Sequence, residues 1–373
     1  MRLLFLALDV DLRRRTGDAI HVAELATNLA GLGHSVDLVV EGGNLANVVG
    51  ALRVHSVPTA RAGDVTHVLL DGRPEVIYER RLTPKIAYRC ARRLGVPYCV
   101  EVNGVPDLER ALLRGGKGKT SPLQRTARRF LLRRAHQIVT VSESLRSAVI
   151  DGYGVQASRV HVVPNGVNTD LFHPLERDEA CHAVGIPSDC YILGFVGNLT
   201  VWQGVDRLLR VLALVVRGRH DVSALIVGDG PERAALERLS ADLGLREYVR
   251  FLGFVPYEEV PQFIAAFDIA FALRPALLPG SPLKVREYMA CARPVLASKG
   301  TQYDFGIVEE AGAGVLVDPT DLGAAAEAVE RMLDDPGLRA SMGSRGRAFV
   351  EQRASWNRVA RRVAEVCALA VDE

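Results

Sequence analysis

The stretch that decides the fold class lies within the first forty residues. It reads LLFLAL (Leu3–Leu8), then AIHVAELATNLAGL (Ala19–Leu32), then VDLVV (Val36–Val40). A short apolar run bounded by polar residues is typical of a buried strand, and apolar residues spaced three and four apart predict a helix. The sequence therefore predicts a strand, a helix and a second strand, the βαβ unit of a parallel sheet.

The same alternation continues along the chain and later restarts. In the first half we expect further strands at Val65–Leu70, Tyr98–Val102, Gln137–Val141 and Val160–Val163, and a helix at Pro84–Leu94. In the second half we expect strands at Tyr191–Val196, Ala224–Val227, Val249–Leu252, Ile269–Leu273, Pro294–Ala297 and Gly314–Val317, again separated by helices. Two doubly wound α/β domains of similar size fit this pattern better than one large sheet.

Composition excludes several classes of protein. The chain has 373 residues, 48% of them hydrophobic, and 46 Lys+Arg balance 44 Asp+Glu, so neither disorder nor a general attraction to nucleic acid is expected. The longest apolar runs fall far short of the roughly 20 residues of a membrane helix. Asp9 and Asp11 interrupt the first apolar run, which argues against a signal peptide. Six widely spaced cysteines without metal-ligand spacing predict reduced thiols in a cytoplasmic protein.

One segment, Arg110–Arg134, is strongly biased in charge. It contains nine basic residues and no acidic one. We expect its second part, Pro122–Ala135, to be helical, with Leu123, Phe130 and Leu131 as candidates for the buried side. Three interpretations remain open: a solvated basic face, contact with an anionic membrane surface, or attraction of a phosphate-bearing substrate.

The richest candidate site is RPALLPGSPLKVREYMACAR (Arg274–Arg293), which follows a predicted strand and enters a predicted helix. Gly280 allows close approach of a ligand to the backbone, and the free amides near Ser281 and Leu283 lie at a positive helix end. Lys284 adds a cation, so the segment suits a pyrophosphate. Glu287, one turn further, can accept hydrogen bonds from ribose hydroxyls, although a simple ion pair with Lys284 explains the spacing equally well.

Three other junctions between strand and helix contain glycine. They are Gly197–Gly204, which includes Asn198 and Gln203; the turn that begins at Gly228; and the start of the first helix at Gly17 and Asp18. None has the G-x-G-x-x-G spacing of dinucleotide-binding proteins. A structural turn explains each of them equally well when it is considered alone.

Taken in order, short phrases along the chain resemble glycosyltransferase family 4, the retaining, sugar-nucleotide-dependent group with the GT-B fold. These phrases are GHSV (33–36), VSE (141–143), VPNGVNTDLF (163–172), FVG (195–197), IVGDGP (226–231), FLGFV (251–255), EYMA (287–290) and RPVLAS (293–298). Trp202, Gly204 and the Ser281–Lys284 phrase resemble a subgroup with a W-x-G and S-P-L-K-x-x-E-Y-M-A pattern. The resemblance extends from Leu3 to about Trp356.

The resemblance implies two Rossmann-like domains that face a central cleft. Residues 1–168 would bind the acceptor, residues 169–355 would bind the nucleotide-sugar donor, and residues 356–373 would form a helix that crosses back to the first domain. It implies retaining transfer of a hexose-type sugar from a nucleoside-diphosphate sugar, UDP- or GDP-linked, to a hydroxyl acceptor such as a polysaccharide, glycolipid or natural product. We expect no cofactor and no metal.

Site roles are carried over position by position. Glu287 matches the second acid of the family's E-x7-E motif, which binds the donor ribose, whereas the first acid is replaced by Pro279. The usual Arg and Lys of the family fall at Asn198 and Gln203, so Lys284 becomes the candidate for the diphosphate charge. Gly280, Ser281, Pro282 and Leu283 match the segment whose amides meet sugar and phosphate.

Two further positions complete the expected site. Phe254 and Val255 are candidates for base recognition. Asn103 stands where many family members carry His, and because Asn cannot take up a proton at neutral pH, we expect the leaving diphosphate itself to help deprotonate the acceptor. His21 is a loose alternative as a base. The candidate catalytic residues are thus Lys284, Glu287 and Asn103.

Other functions remain open at this point. The absence of the usual Arg, Lys and first Glu also fits an inactive relative that acts as a binding or activating partner. A sugar-nucleotide epimerase or a phosphorylase would share the architecture, whereas a nicotinamide-dependent oxidoreductase is disfavoured. We expect a cytoplasmic protein without nucleic-acid partners, with a possible peripheral position on the inner membrane surface through Arg110–Arg134.

Overall fold

A computed structural model describes residues 1–14, 16–43, 50–57, 65, 72–104, 121–275 and 280–372. The chain divides into two units. The first contains Met1–Gly166, Leu278–Ser281 and Trp356–Glu373, and the second contains Val167–Leu277 and Pro282–Ser355. Each unit contains one sheet and its own helices.

The first unit is built on parallel strands that pair in the order β3-β2-β1-β4-β5-β6-β7 within the described residues. They are β1 (Arg2–Asp11), β2 (Ser35–Gly42), β3 (Leu52–Ser56), β4 (Val76–Arg80), β5 (Tyr98–Val102), β6 (Gln137–Thr140) and β7 (Val160–Val162). Helices α1 (Gly17–Gly31), α2 (Lys85–Leu94), α3 (Pro122–Leu132) and α4 (Glu143–Tyr153) connect them.

The second unit repeats this plan. Its parallel strands pair in the order β10-β9-β8-β11-β12-β13. They are β8 (Tyr191–Val196), β9 (Val222–Val227), β10 (Val249–Gly253), β11 (Ile269–Ala272), β12 (Val295–Ser298) and β13 (Gly314–Val317). Its helices are α5 (Arg177–Ala183), α6 (Val205–Val215), α7 (Arg233–Asp242), α8 (Val260–Ala265), α9 (Leu283–Ala290), α10 (Gly306–Glu310), α11 (Leu322–Asp334) and α12 (Pro336–Arg353).

The last helix, α13 (Trp356–Asp372), packs in the first unit against α1. Its buried face runs through Val363, Val366, Cys367 and Ala370, whereas Leu369 is 47% exposed. A helix turns about 100° per residue, so the stripe that passes through Val363, Val366 and Ala370 leaves Leu369 on its flank.

Local sequence explains how these elements begin and end. Alpha-helix α4 starts where the Ser142 hydroxyl accepts a hydrogen bond from the Leu145 amide at 3.3 Å, a standard N-cap contact. Helix α2 ends at Gly95, which has φ +62°, a left-handed conformation that favours glycine. The two strongest apolar strands, β1 and β2, are buried along almost their entire length and occupy the middle of the first sheet.

Two strands of the first sheet were not predicted. Strand β3 lies at the edge of the sheet and is only partly buried, so its sequence LRVHS lacks a continuous apolar run. Strand β4 reads VIYER and carries a glutamate that is nevertheless buried. The strand that the sequence predicts at Val65–Leu70 lies outside the described residues apart from Val65.

The basic helix α3 is also oriented differently from the prediction. Leu123 is 80% exposed and Phe130 is 42% exposed, while Leu131, Leu132 and Arg128 are buried. The expectation that Leu123 and Phe130 form the buried side is wrong, since the helix turns an arginine inward instead. Residues 110–120 of the basic segment lie outside the described residues.

Glu79 in β4 is a buried acid with an unusual environment. It is 1% exposed, and its Oε2 accepts a hydrogen bond of 2.7 Å from the Ala87 amide in the first turn of α2. Burial raises the pKa of the Glu79 carboxyl to about 7, while the Ala87 hydrogen bond and the Arg81 charge oppose this rise. The folded protein therefore keeps this proton at pH values where the unfolded chain has released it.

This difference predicts a pH dependence of stability. Below the unfolded pKa of about 4.3 both states are protonated, and between that value and about 7 the folded state holds the extra proton, so stability falls as pH rises, by up to about 3 kcal/mol. Glu79→Gln lacks this titration. Its free energy of unfolding relative to the parent should rise across pH 4.5 to 7 in urea denaturation.

The matched control is Glu327→Gln, which changes an exposed carboxylate on α11. Its stability should track the parent at each pH. Parallel pH profiles for Glu79→Gln and the parent would contradict the assignment.

Candidate functional site

The strand order of the second sheet predicts where a ligand binds. From β8 the chain winds outward through β9 to β10, and then returns to pair β11 against the other side of β8. In open parallel sheets, ligands bind beyond the carboxyl ends of the strands at this point of reversal. The residues that follow β8 and β11, from Gly197 and from Leu273, are therefore the first candidates.

Glycines let two of the loops at this edge lie against each other. Gly197 has φ +139° and Gly228 has φ +130°, conformations that side chains disfavour. A Cβ atom at Gly228 would overlap the carbonyl oxygen of Gly197, and the Gly197 amide donates to the Val227 carbonyl at 2.9 Å. The loops after β8 and β9 thus present backbone rather than side chains at this point.

Lys284, in the first turn of α9, is brought to the loop after β8. Its Nζ donates to Gln203 Oε1 at 3.0 Å and lies 3.9 Å from the centre of the Phe195 ring, a cation–π contact. The small Gly197 leaves room for it, because a Cβ there would come 2.6 Å from Lys284 Nζ. The structure therefore brings together Gly197, Gln203 and Lys284, three residues that the sequence analysis placed in one site.

A second cation, Arg274, lies at the carboxyl end of β11 and was missed by the sequence analysis. It is 8% exposed, its Nε donates to the Trp202 carbonyl at 3.0 Å, and its guanidinium stacks 3.9 Å from the Tyr303 ring centre. A small cavity of about 10 Å³, room for about one water, lies among Arg274, Lys284, Gln203 and Tyr303. A basic residue directly after a predicted central strand was the signal that could have identified it.

The two cations affect each other. Burial, and then the positive charge of Arg274, hold the pKa of Lys284 well below its usual range, while Glu287 acts in the opposite direction. Two cations held close together in a sheltered position favour the arrival of an anion, because it stabilises both charges. This electrostatic arrangement suits a diphosphate.

Glu287 lies one turn further along α9 and is 7% exposed. The hydroxyl of Tyr257, from the loop after β10, donates to its Oε1 at 3.1 Å. Tyr257 in turn packs against the Phe172 ring with 5.2 Å between the ring centres. Tyr257 therefore orients the carboxylate, and it is a second residue that the sequence analysis missed.

Phe254 and Val255 follow β10. Phe254 is 67% exposed, whereas Val255 packs against the core of the unit. The carbonyl of Gly253 accepts a hydrogen bond of 2.7 Å from the Gly228 amide, which ties this loop to the one after β9. An exposed aromatic ring thus lies beside the loop of Gly228.

The segment that leads into α9 begins in the first unit. Ser281 is 6% exposed; its Oγ accepts from the Asn165 amide at 3.3 Å and its carbonyl accepts from Asn165 Nδ2 at 3.0 Å. Pro282, at the N-cap of α9, and Leu283 belong to the second unit. Pro279 lies outside the described residues, and Asn198 is exposed at the turn after β8.

In the first unit, Asn103 belongs to a buried polar cluster around Glu101. Asn103 Nδ2 donates to Glu101 Oε1 at 2.5 Å, Tyr78 donates to Glu101 Oε2 at 2.5 Å, and His21 Nε2 lies 2.6 Å from Glu101 Oε1. The other ring nitrogen of His21 lies 2.9 Å from Asn165 Oδ1. His21 is thus a satisfied core residue, and Glu101, a glutamate within an apolar strand, is a third residue that the sequence analysis missed.

Charges compensate each other in this cluster. Burial alone would raise the pKa of the Glu101 carboxyl, but His21, the Arg80 guanidinium and the Tyr78 hydroxyl together lower it to about 2. The His21 ring also meets the Trp356 ring edge to face, with 5.2 Å between the centres. The cluster therefore joins α1, β5, Asn165 and the start of α13.

Gly17 and Asp18 form the first turn of α1 in the same unit. Thr16 is the N-cap residue, and its hydroxyl donates to Asp18. Both Gly17 and Asp18 are exposed or half-exposed. Both residues belong to the first unit.

Two kinds of feature are absent from the described ranges. No group of three or more His, Cys, Asp or Glu residues there has the arrangement of a metal site. None of the helices observed in those ranges has the length and apolar content needed to cross a membrane. All six cysteines are free thiols, and only Cys190 is not fully buried.

Family profiles match both units. The profile described as "Glycosyl transferase 4-like domain" matches residues 16–166, and that of "Glycosyl transferases group 1" matches residues 176–349, so together they cover most of the chain. The chain belongs to the group 1, GT-B glycosyltransferases. Its two parallel-sheet units are the two Rossmann-like domains of that fold.

Relatives and solved structures agree with this family. The D-inositol 3-phosphate glycosyltransferase 1 of Catenulispora acidiphila is 29% identical over 68% of this chain and 62% of its own length. The GDP-mannose-dependent alpha-(1-6)-phosphatidylinositol monomannoside mannosyltransferase of Mycolicibacterium smegmatis is 32% identical over 66% of this chain and 65% of its own. The chain thus spans just under two thirds of these relatives.

Among solved structures, HepE of Anabaena in complex with UDP has a TM-score of 0.77 at 21% identity. The match covers 99% of this chain and all of the other. At this identity the likeness concerns the fold, and it supports the GT-B architecture.

The buried pair of His21 and Glu101 yields a stability prediction. His21→Leu leaves the buried Glu101 carboxylate without the ring nitrogen that contacts its Oε1, so the free energy of unfolding should fall by about 3 kcal/mol or more. Adding Glu101→Gln should recover much of that loss, because a neutral amide needs no counter-charge. A double-mutant cycle in urea measures both effects.

His182→Leu, which changes an exposed histidine on α5, is the control. If His21→Leu were no more destabilising than His182→Leu, the pair would not stabilise the fold as described.

Proposed function

We propose that the chain transfers a hexose-type sugar from a nucleoside-diphosphate sugar to a hydroxyl group of an acceptor, with retention of configuration. The observation that carries the proposal is the pair of sheltered cations, Lys284 and Arg274, at the point of reversal of the second sheet, one helical turn from the carboxylate of Glu287. A diphosphate and a ribose fit these groups. The family to which the chain belongs supports the reaction class.

The roles divide along the donor. Lys284 and Arg274 would bind the diphosphate in place of the cations that the family usually carries at positions 198 and 203, where Gln203 instead holds Lys284 through a hydrogen bond. Glu287, oriented by Tyr257, would accept the ribose hydroxyls. Phe254 and Val255 would contact the base.

The remaining donor contacts come from backbone. The amides of Gly280 to Leu283 would meet the sugar and the phosphate next to it, and Gly197, Asn198 and Gly228 would line the approach from the facing loops. Gly17 and Asp18 would supply helix-terminal amides from the first unit. Asn103, whose Nδ2 is held by Glu101, would help to position the acceptor hydroxyl.

In the proposed reaction the leaving diphosphate itself accepts the proton of the acceptor hydroxyl. The bond between the anomeric carbon and the phosphate oxygen breaks, the acceptor oxygen bonds to the same face of that carbon, and the acceptor proton passes to the departing phosphate. The cations stabilise the negative charge that develops on the diphosphate. Lys284 and Arg274 thus act electrostatically, and the route uses no protein carboxylate as a nucleophile and no metal.

The names of the relatives suggest candidates for the donor base and for the acceptor. One relative is named for GDP-mannose and an inositol lipid, another for inositol 3-phosphate, and the structural neighbour was solved with UDP. We propose a cytoplasmic enzyme that acts without nucleic acid. Contact with the inner membrane surface would involve the segment Arg110–Arg134, of which Arg125, Arg129, Arg133 and Arg134 are exposed.

One observation favours a second candidate. The cations usual at positions 198 and 203 are replaced by amides, and the first acid of the family motif is replaced by Pro279. An inactive relative that binds or activates a partner enzyme would tolerate these losses. Donor binding separates the two candidates.

The first experiment is a calorimetric titration with UDP, GDP, ADP and dTDP in excess chelator. One nucleotide should bind tightly, and Glu287→Ala should weaken it at least about 10-fold, the usual effect of losing a hydrogen bond to a charged group. Glu327→Ala, on an exposed face of α11, should leave the affinity unchanged. Absence of binding by all four nucleotides would favour the inactive partner.

The position of Lys284 leads to two predictions, one about kcat and one about proton uptake on nucleotide binding. Lys284→Met should lower kcat by about 10²-fold or more, the scale seen when an electrostatic donor to the transition state is lost. Burial and the charge of Arg274 lower the pKa of Lys284 in the free protein. An arriving diphosphate should raise that pKa, and any neutral fraction of Lys284 then takes up a proton. Nucleotide affinity should therefore fall as pH rises.

Proton uptake is measured by calorimetry in two buffers with different ionisation enthalpies. Lys284→Met should abolish the uptake, and Arg238→Met, which removes an exposed cation from α7, should not. Equal uptake by all three proteins would remove this role from Lys284.

A further inference from the structure

A groove of about 600 Å³ lies between α2 and α3 in the first unit. Four cations line it, namely Arg81, Lys85, Arg89 and Arg128, and no carboxylate is among its lining residues. Only Arg128 belongs to the basic segment that the sequence analysis singled out. The other three come from the end of β4 and from α2, so the groove is a tertiary feature.

The geometry of the two helices brings Lys85, Arg89 and Arg128 to the same groove. Lys85 and Arg89 are four residues apart, so they share one face of α2, where like charges repel each other. Arg128 approaches from α3, is 8% exposed, and its Nε donates to Thr83 Oγ1 at 3.0 Å. A guanidinium that is buried and fixed in this way is ready to bind a ligand without further ordering.

The walls of the groove are held by contacts behind it. The Tyr98 hydroxyl donates to the Leu131 carbonyl at 2.6 Å, which fixes the end of α3 to β5. The rings of Tyr88 on α2 and Phe130 on α3 meet edge to face, with 5.7 Å between their centres. The spacing of the two helices, and hence of the four cations, is therefore set by the core.

The groove also opens at the edge of the sheet where ligands bind. Arg81 directly follows β4, which pairs with β1 at the point of reversal of the first sheet. Arg81 Nε lies 3.7 Å from Asp9 Oδ2 near the end of β1. Two apolar side chains of α3 are exposed: Leu123 is in the lining itself, and Phe130 lies about two turns further along the helix.

We propose that this groove binds the phosphate group of a phosphorylated acceptor. Arginine and lysine side chains that converge on one groove match the charge and hydrogen-bonding geometry of a phosphate ester. That the bound phosphate belongs to an acceptor rests on the proposed function, whereas phosphate binding itself rests on the groove alone. The phosphate belongs either to a free sugar or polyol phosphate or to a lipid headgroup, for which Leu123 would contact the lipid.

The test compares two double variants with equal charge change. Lys85→Glu with Arg89→Glu reverses two exposed lining cations, and Arg92→Glu with Arg93→Glu reverses two exposed cations on the same helix that do not line the groove. Long-range attraction changes equally in both, so only a specific site separates them. Lys85→Gln with Arg89→Gln is a milder version, and circular dichroism checks that each variant folds.

Two probes distinguish the sources of the phosphate. Calorimetry with glycerol 3-phosphate, with glycerol as the uncharged control, tests a free phosphate ester. Sedimentation with phosphatidylcholine vesicles, with and without phosphatidylglycerol, tests a headgroup. We expect the lining variant to weaken binding by about 100-fold, on the scale of two lost hydrogen bonds to charged groups, and the control variant by less than about 3-fold.

This pattern with glycerol 3-phosphate supports a free phosphate ester, and the pattern with vesicles alone supports a lipid headgroup. Equal loss of binding in both double variants would mean a diffuse basic surface and would overturn the site. Absence of binding to both probes would overturn it as well. Nucleotide titrations of the same variants test the donor site independently. If no nucleotide binds but glycerol 3-phosphate does, the proposed function fails and the phosphate site stands.

Discussion

Parallel strands cannot be joined by tight hairpins, so the chain must cross back over the sheet between neighbouring strands. In both units this requirement sends loops with polar residues to the carboxyl edge of the sheet, and the strand order reverses once, beside β1 in the first unit and beside β8 in the second. The positions of Lys284 and Arg274, and of Arg81 in the first unit, follow from this topology. The candidate sites therefore depend on how the strands are connected.

At that edge, the second unit keeps positive charge out of water. Lys284 lies on the Phe195 ring and is held by Gln203, while Arg274 is stacked on Tyr303. Such charges cost free energy in the empty site and strengthen the attraction to an anion, because the surroundings screen poorly. The first unit has the opposite case: the buried carboxylate of Glu101 is stabilised by contact with the His21 ring.

Much of the fold could be predicted from sequence, because central parallel strands are continuous apolar runs. Edge strand β3 could not, since it is half-exposed, and β4 could not, since it carries the buried Glu79. The prediction for α3 was wrong at Leu123 and Phe130 because a buried arginine, Arg128, takes the inward position. Helical periodicity alone does not tell which polar residue finds a partner in the core.

The sequence by itself determined the fold class, the family and the loops that carry Gly197, Gln203, Lys284 and Glu287, because these depend on local patterns and on the order of short phrases. Only the tertiary structure decided that Arg274 lies beside Lys284, that Tyr257 orients Glu287, and that Lys85, Arg89 and Arg128 meet across one groove. The physical reason is that a side chain's charge acts over a few ångströms in space. Residues far apart in the chain come within that distance only after the sheets have formed.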